Sequence, residues 1–404
     1  MSYHFQQNFQ KPSFTHIFLY CVCPLFFFCK LTYADEFDSL QYSASANHAW
    51  DSNLFRSSNN ETSDQITTYK AGVRFDKKYS LQHFVIDVNY VDYKYQKSDF
   101  LNFDAINYSA AWQWALSPAL TGTISTRKNK SLLGFADFRT LIQNIRTDEY
   151  NIFRAEYSPY KVWSLIVGFT DTSLKNSQTF NAQNDYDATA FDYGVRYNFV
   201  SGTSFTMLGH KRNGNFKRSL NASNIALSFD NGFNEDEFEV DVLFKASAKS
   251  NLSSKLAYLS REYDNFSVRD YDAWLGNLKY DLLLTGKLKT SMDLSRAVGT
   301  FETQYSTYSI TDAVNIGATY FYSDKVILGL NARLSQRDFD GRVNPAFPNR
   351  VDHEQSINGA LTWQPLRNIG LTLSSIKSSR NANSGYDAFD FDDVTTSVTV
   401  DLKI

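Results

Sequence analysis

Cysteine is scarce in this sequence: of 404 residues only Cys21, Cys23 and Cys29 carry a thiol, all in or beside one early apolar run. A disulfide-stapled fold is thereby excluded for everything after Cys29. Proline (7) and glycine (18) are also few, which excludes low-complexity and collagen-like chains. A net charge of −3 offers no basic surface for nucleic acid. Past the first thirty residues no run of eighteen apolar residues occurs, so no membrane-spanning helix is expected. What the chain has in abundance is aromatic side chains, with 25 Tyr, 33 Phe and 6 Trp making 16% of it. That is too much apolar surface for a disordered chain.

The early apolar run, residues 17–28, has the length of a secretory core segment and is too short to cross a bilayer. Small residues follow, with Thr32 at −3 and Ala34 at −1 of a cleavage pattern, and then Asp35 and Glu36. Residues 1–34 read as a signal peptide, leaving residues 35–404 as one exported, cysteine-free domain.

From Leu40 onward the dominant pattern is alternation at period two, the signature of sheet wetted on one face. Phe84, Ile86, Val88 and Tyr90 alternate with His83, Asp87 and Asn89; Phe191, Tyr193, Val195 and Tyr197 alternate with Asp192, Gly194 and Arg196. Eighteen such segments can be counted: 40–50, 66–77, 81–96, 102–115, 118–129, 146–158, 161–174, 186–199, 202–213, 233–246, 250–262, 269–283, 286–297, 305–322, 325–338, 353–364, 367–379 and 391–404. Their connections sort by parity. Even-numbered segments are followed by turns of a few residues, such as Lys78-Tyr79-Ser80 and Pro365-Leu366. Odd-numbered ones are followed by longer polar connections, such as 51–65, 130–145 and 214–232.

A soluble β-sandwich also alternates, but nothing would sort its loops to one end. An even number of strands with short turns at one end and long loops at the other is the anatomy of an outer-membrane barrel. Closure gives every backbone polar group in hydrocarbon a partner. Trp50, Trp112, Trp114, Trp163, Trp274, Tyr320, Tyr322 and Trp363 fall near segment ends, as aromatic girdles do. The fold class expected is therefore all-β: an outer-membrane β-barrel of about eighteen antiparallel strands in a Gram-negative bacterium. The expected partners are outer-membrane lipid and lipopolysaccharide, with the barrel-assembly machinery reading the alternating end Val398, Val400, Leu402, Ile404.

If the aromatic face meets lipid, the other lines a lumen. Alternation assigns to it Lys70, Arg74, Asp87, Arg127, Arg154, Glu156, Asp192, Arg196, Glu239, Asp241, Lys245, Lys255, Arg261, Lys279, Asp281, Lys289, Asp293, Arg333, Arg337 and Asp401. Mixed signs on consecutive segments suit a salt-bridged wet wall, or a surface that binds a solute during passage. Eighteen strands enclose space for an aqueous channel unless a loop fills it, and residues 130–145 and 214–232 are the candidates for a constriction.

Enzyme chemistry finds little support. The histidines after the leader are His48, His83, His210 and His353, and three of them (His48, His210, His353) are expected at the long-loop rim. No Ser or Asp motif singles one out as a catalytic partner. Metal-ligand spacing and phosphate-cradling glycine loops do not occur, so neither cofactor nor metal is expected. The acidic stretch Asp387, Asp390, Asp392, Asp393 reads as an exposed loop.

The first long loop and its approach read Asp51-Ser52-Asn53-Leu54-Phe55-Arg56. This segment, with YVDYKYQ at 90–96, the Trp112–Trp114 segment and Arg154-Ala155-Glu156-Tyr157, resembles the outer-membrane barrel proteins of exosortase-associated exopolysaccharide loci, often called EpsL. The resemblance implies a role in exopolysaccharide biosynthesis and export, with exopolysaccharide and periplasmic export proteins as partners. From the residues alone, Asp51 and Asn53 can equally make a turn that tucks Leu54 and Phe55 into the lumen mouth. A general diffusion porin or an adhesion barrel is the alternative function.

Overall fold

The computed structural model describes residues 39–138, 141–178, 185–217, 230–300, 306–341 and 348–404; the expected leader lies outside them. Eighteen strands follow in order: β1 (Leu40–Asp51), β2 (Asp64–Tyr79), β3 (Gln82–Tyr95), β4 (Phe103–Ser117), β5 (Leu120–Leu132), β6 (Ile145–Tyr157), β7 (Trp163–Asn176), β8 (Tyr186–Asn198), β9 (Ser204–Phe216), β10 (Gly232–Ser247), β11 (Ser250–Tyr263), β12 (Tyr271–Leu283), β13 (Leu288–Thr300), β14 (Tyr308–Ser323), β15 (Val326–Asp340), β16 (Val351–Leu366), β17 (Ile369–Ala382) and β18 (Phe391–Lys403). Each pairs antiparallel with its sequence neighbours, and β18 pairs with β1 from Ser43↔Lys403 to Asp51↔Thr395, which closes the sheet. The barrel therefore has no open edge. Register shifts at Ala115/Ser117, Lys245/Ser247, Phe321/Ser323 and Trp363/Leu366 all lie at the short-turn rim, where bulges let strands bend into tight connections.

The strands are longer than the bilayer needs, and this shapes everything at the mouth. At ~3.3 Å per residue and a tilt near 40°, eight residues climb about 20 Å, while a membrane band is about 25 Å tall. Strands of 13 to 16 residues, such as β6 and β2, must project beyond it. They do so at the long-loop end, and there the sense of the alternation inverts.

On β3 the outward side chains run Phe84, Ile86, Val88, Tyr90 and then Asp92 and Lys94, which pair at 3.0 Å. On β8 they run Tyr197, Val195, Tyr193, Phe191 and then Thr189 and Asp187. Outward-facing pairs above the aromatic band include Lys128–Glu149 (2.5 Å), Lys211–Asp236 (3.4 Å) and Arg296–Asp312 (2.7 Å). Inside, at the same height, the wall turns apolar: Tyr93, Tyr95, Phe233, Tyr263, Tyr271 and Phe339 face the axis. Above the lipid, water is outside, so greasy residues move in.

The even strands enter from the long-loop end, and three of those connections are built alike. A 3-10 turn (Asp99–Leu101, Ser267–Arg269, Asp387–Phe389) is followed by a side chain that accepts from the end of the preceding strand. The bonds are Tyr95 N to Asn102 Oδ1 (2.6 Å), Tyr263 N to Asp270 Oδ1 (2.7 Å) and Ala382 N to Asp390 Oδ1 (2.6 Å). Each connection is thus hydrogen-bonded shut rather than left loose.

Candidate functional site

The registers place every one of the expected lumen residues on the inward face. Arg74 reaches Asp76 (2.8 Å) and Asp87 (4.0 Å), near Lys70 on β2. Arg127 lies over the Tyr150 ring at 5.9 Å, while Arg154 sits between Thr123 and Gly168. Glu156 holds Arg196 through both carboxylate oxygens at 3.0 and 2.9 Å. Asp192 accepts from His210 Nδ1 at 2.7 Å, and Glu239 pairs with Lys255 beside Asp241. Asp281 lies 3.6 Å from both Lys279 and Lys289. Asp293 accepts from Asn277 and Asn315 at 2.8 and 3.3 Å, and Arg333 donates to Asn315 at 3.4 Å. A cavity of about 510 Å³ on this wall is lined by Arg196, Thr206, Asp241, Lys255 and Asn277. Alternating charge signs along neighbouring strands hold the side chains against the wall rather than across the bore.

The histidines fall differently from expectation. His48 is at the rim but faces outward, against Trp50 and between Thr67 (2.9 Å) and Gln65 (3.2 Å). His353 also points outward, opposite Gln336. His210 is not at the rim: β9 carries it midway down the lumen, with Glu239 3.7 Å from Nε2. Strand β9 runs to Phe216, three residues past its expected end, so the rim lies farther from His210 than the sequence indicated. The acidic stretch is divided likewise: Asp393 turns inward and Asp390 caps β17, so the carboxylates do not converge.

The mouth is where the chain folds in on itself. Asp51, at the end of β1, accepts from Asn53 N (2.9 Å) and pairs with Arg56 (3.0 Å). Arg56 also meets Asp393 of β18 at 3.2 Å, and its φ of +54° turns the chain sharply inward. Asn53, wholly buried, donates to Ser57 O (2.8 Å) and Asp392 O (2.9 Å) and accepts from Ser57 N (2.9 Å). Such a knot leaves Leu54 pointing down. It packs with Tyr95, Leu101 and Phe135, flanked by Phe55, Ile66, Tyr93 and Leu132. The DSNLFR segment is thereby spent on structure: its polar atoms make a turn and its apolar ones seed a core.

Phe135 belongs to the connection between β5 and β6, and two residues on, Asp137 crosses to another part of the ring. Its Oδ2 accepts from Arg337 of β15 at 2.8 Å, and its Oδ1 from Arg380 of β17 at 3.0 Å, with Arg350 at 3.8 Å. Arg380 also donates to Ala136 O at 2.8 Å. Because β6 and β15 are diametrically opposite in the ring, this segment is a strap tied to the far wall. Burial pushes the Asp137 carboxyl up, but the guanidinium groups of Arg337 and Arg380 outweigh it and hold it below the ordinary carboxylate value.

The arginines are themselves braced. Arg350 makes a two-point pair with Asp352 (2.8 and 2.6 Å), and Arg380 meets Glu354 at 2.8 Å through Nε. Arg350 lies 3.5 Å from the Phe389 ring and 4.3 Å from Phe339, and Arg337 lies 4.6 Å from Phe339. Of these groups, Arg337 faces inward as alternation assigns it, and the same alternation carried through β16 and β17 could have shown Asp352, Glu354 and Arg380 doing so. No pattern in the sequence points to Asp137, whose position depends on how a loop folds. The other expected constriction, 214–232, lies outside the described residues over 218–229.

No family model matches the chain, and no curated protein matches it. Among solved structures the barrel is similar to Pseudomonas aeruginosa OpdK crystallised with vanillate, at 10% identity over 90% of this chain and 99% of that one, with a TM-score of 0.52. It is similar also to P. aeruginosa OpdQ (11% identity, 90% and 98% covered, TM-score 0.51) and OccK9, or OpdG (10%, 90% and 98%, 0.52). These are outer-membrane porins. At such identity the likeness concerns architecture: the chain is a closed eighteen-stranded barrel of the outer-membrane type.

Proposed function

We propose that this chain is a porin-like diffusion channel whose aperture is set by the strap around Asp137. The observation that carries the reading is the tie between that carboxylate and Arg337 and Arg380 across the mouth. A partition over a charged, hydrated bore admits small solutes and rejects large ones. The remaining lumen charges support the same reading, because paired groups held against the wall leave the axis open to water. Planar-bilayer recording tests it. The native barrel should conduct weakly, and replacing 133–144 by a short Gly/Ser link should raise conductance several-fold. Conductance unchanged by removing the strap would overturn it, as would two silent proteins.

Export of an exopolysaccharide, the role implied by resemblance through the DSNLFR segment, is a second proposal that asks more of this geometry. A polymer would require the strap to leave the mouth, and Asn53 and Asp51 are engaged in the turn rather than offered to sugar. Gene deletion followed by assay of secreted polysaccharide separates the two: an unchanged yield removes export and leaves the channel.

A further inference from the structure

Three adjacent strands bring metal-ligating side chains together on the lumen wall, well below the strap. His210 of β9 stands directly opposite Asp192 of β8 and Glu237 of β10, and Glu239 follows two residues along the same inward face. One partner aims the imidazole: Nδ1 donates to Asp192 at 2.7 Å. Nε2 is buried and has no hydrogen-bond partner, with Glu239 3.7 Å away. Ligand atoms of His210, Glu237 and Glu239 all lie within 4.8 Å of one another. The carboxylates are costly where they stand, because the Glu237 and Glu239 side chains are only 11% and 8% exposed. Asp192 and Asp241 add charge of the same sign, and among the described residues Lys255 is the one ammonium paired with the two glutamates. Nearby guanidinium groups are engaged elsewhere, Arg196 with Glu156, and Arg212 and Arg261 with Glu235.

We infer that His210, Glu237 and Glu239 form a zinc site on the lumen wall, with Asp192 as the positioning residue that holds the imidazole. A carboxylate on the far ring nitrogen is the usual orienting partner of a zinc-bound histidine, and here it leaves Nε2 as the ligating atom. Zinc at about 2.1 Å from each of its ligands sets them about 3.4 Å apart. The 3.7 Å between Nε2 and Glu239 is close to that spacing, and Glu237 is within reach of it by a side-chain rotation. A water would complete four-fold coordination, and the imidazole nitrogen discriminates against calcium and magnesium. The ion must displace the Lys255 ammonium. The cavity of about 510 Å³ that Lys255 and Asp241 line gives the ammonium room to withdraw and the ion a way in. Spacing along the chain discloses none of this, since the ligands meet across strands. The inference goes beyond the channel reading and does not depend on it.

Calorimetric titration of the untagged, detergent-solubilised barrel with zinc chloride tests the site, with calcium chloride as the control. The native protein should bind one zinc ion per barrel and no calcium. His210→Gln should lose that binding. Asp192→Asn should weaken it about ten-fold or more, and Asp192→Glu, which keeps the acceptor, should recover most of the loss. Lys255→Met, which removes the competing ammonium, should tighten it. His83→Gln, remote from the cluster, should leave it unchanged. Retention of the compact, unheated form on gel electrophoresis verifies that each variant is folded. Zinc binding that survives His210→Gln, or that vanishes with His83→Gln, would mark an adventitious ion only and overturn the inference. So would a folded native barrel that takes up no zinc, which would leave His210 as a protonated link between Asp192 and Glu239. A barrel that binds zinc but passes no current would defeat the channel reading and spare the site; one that conducts but binds no zinc would do the reverse.

Discussion

On one side of the mouth Phe233, Leu259, Tyr263 and Tyr271 form an apolar cluster entirely from strand residues. On the other, Leu54, Leu101 and Phe135 arrive on connections and only Tyr95 stands on a strand. Both clusters fill the lumen above the lipid, but only the first carries a buried arginine against its own rings. In the first, Arg261 lies 4.0 Å from Phe233 and 5.6 Å from Tyr271, and is paired with Glu235, which also holds Arg212. Gly214 makes room for it: a Cβ there would sit 2.3 Å from the Phe233 ring. That cluster cannot loosen unless β9–β12 part. The second can, since its loops could lift while every inter-strand register stays intact. One side of the mouth is wall, and the other is a device laid against it.

The sharpest way to break this contrast is Glu235→Ala, which leaves Arg261 buried and unbalanced. It should cost about 3–5 kcal/mol, read as a lower urea midpoint for the whole barrel in lipid vesicles. A midpoint unchanged would mean that Arg261 finds water. Phe135→Ala removes a comparable amount of packing, about 3 kcal/mol, yet should scarcely move that midpoint. Its effect belongs in faster proteolysis within the 133–138 loop and higher conductance; a barrel that melted early instead would show the two clusters to be built alike. Asn53→Ala deletes the hydrogen bonds of the first turn, and loosening on the order of 1–2 kcal/mol should appear as amide exchange confined to 52–58. Spread into β1 and β18 would contradict local control.

Acid gives the smallest and most selective effect. Because Asp137 ionises below the ordinary carboxylate value of 3.8, its contribution to strap closure is complete above that value and fades only as pH falls through the lowered one. The groups facing it are Arg337, Arg350 and Arg380, with Asp352 and Glu354 behind them. Conductance should be flat from pH 8 down to about 4 and rise below it. A rise centred near neutrality would point to a different group.

The strand clusters and the strap also differ in how far the sequence disclosed them. Period-two alternation placed eighteen strands to within a few residues and the inward charges with them, because a sheet commits each side chain to one face or the other. Nothing there depends on distant neighbours. The same pattern shows Phe233, Tyr263 and Tyr271 on the inward phase, but only an assumption of one greasy face along the full strand hid them. That assumption fails where the wall leaves the lipid. The three capped connections carry a readable trace, an Asn or Asp followed by an aromatic at Asn102-Phe103, Asp270-Tyr271 and Asp390-Phe391. Asp137 carries none. Its partners are some two hundred residues away, and only closure of the ring brings them within reach.

A molecule set in a fluid sheet has one freedom a dissolved one lacks, its height. Here that freedom is small, because the exterior switches character within one residue pair on strand after strand, as between Tyr90 and Asp92 or Phe191 and Thr189. Sinking would drag ion pairs toward oil at about 2–4 kcal/mol for each buried cation, and rising would strip rings of their apolar surroundings. The wall therefore carries its own waterline. It floats at a single draught, and the Asp137 crossing rides above it like a footbridge, clear of the acyl chains and open to whatever drifts past the cell.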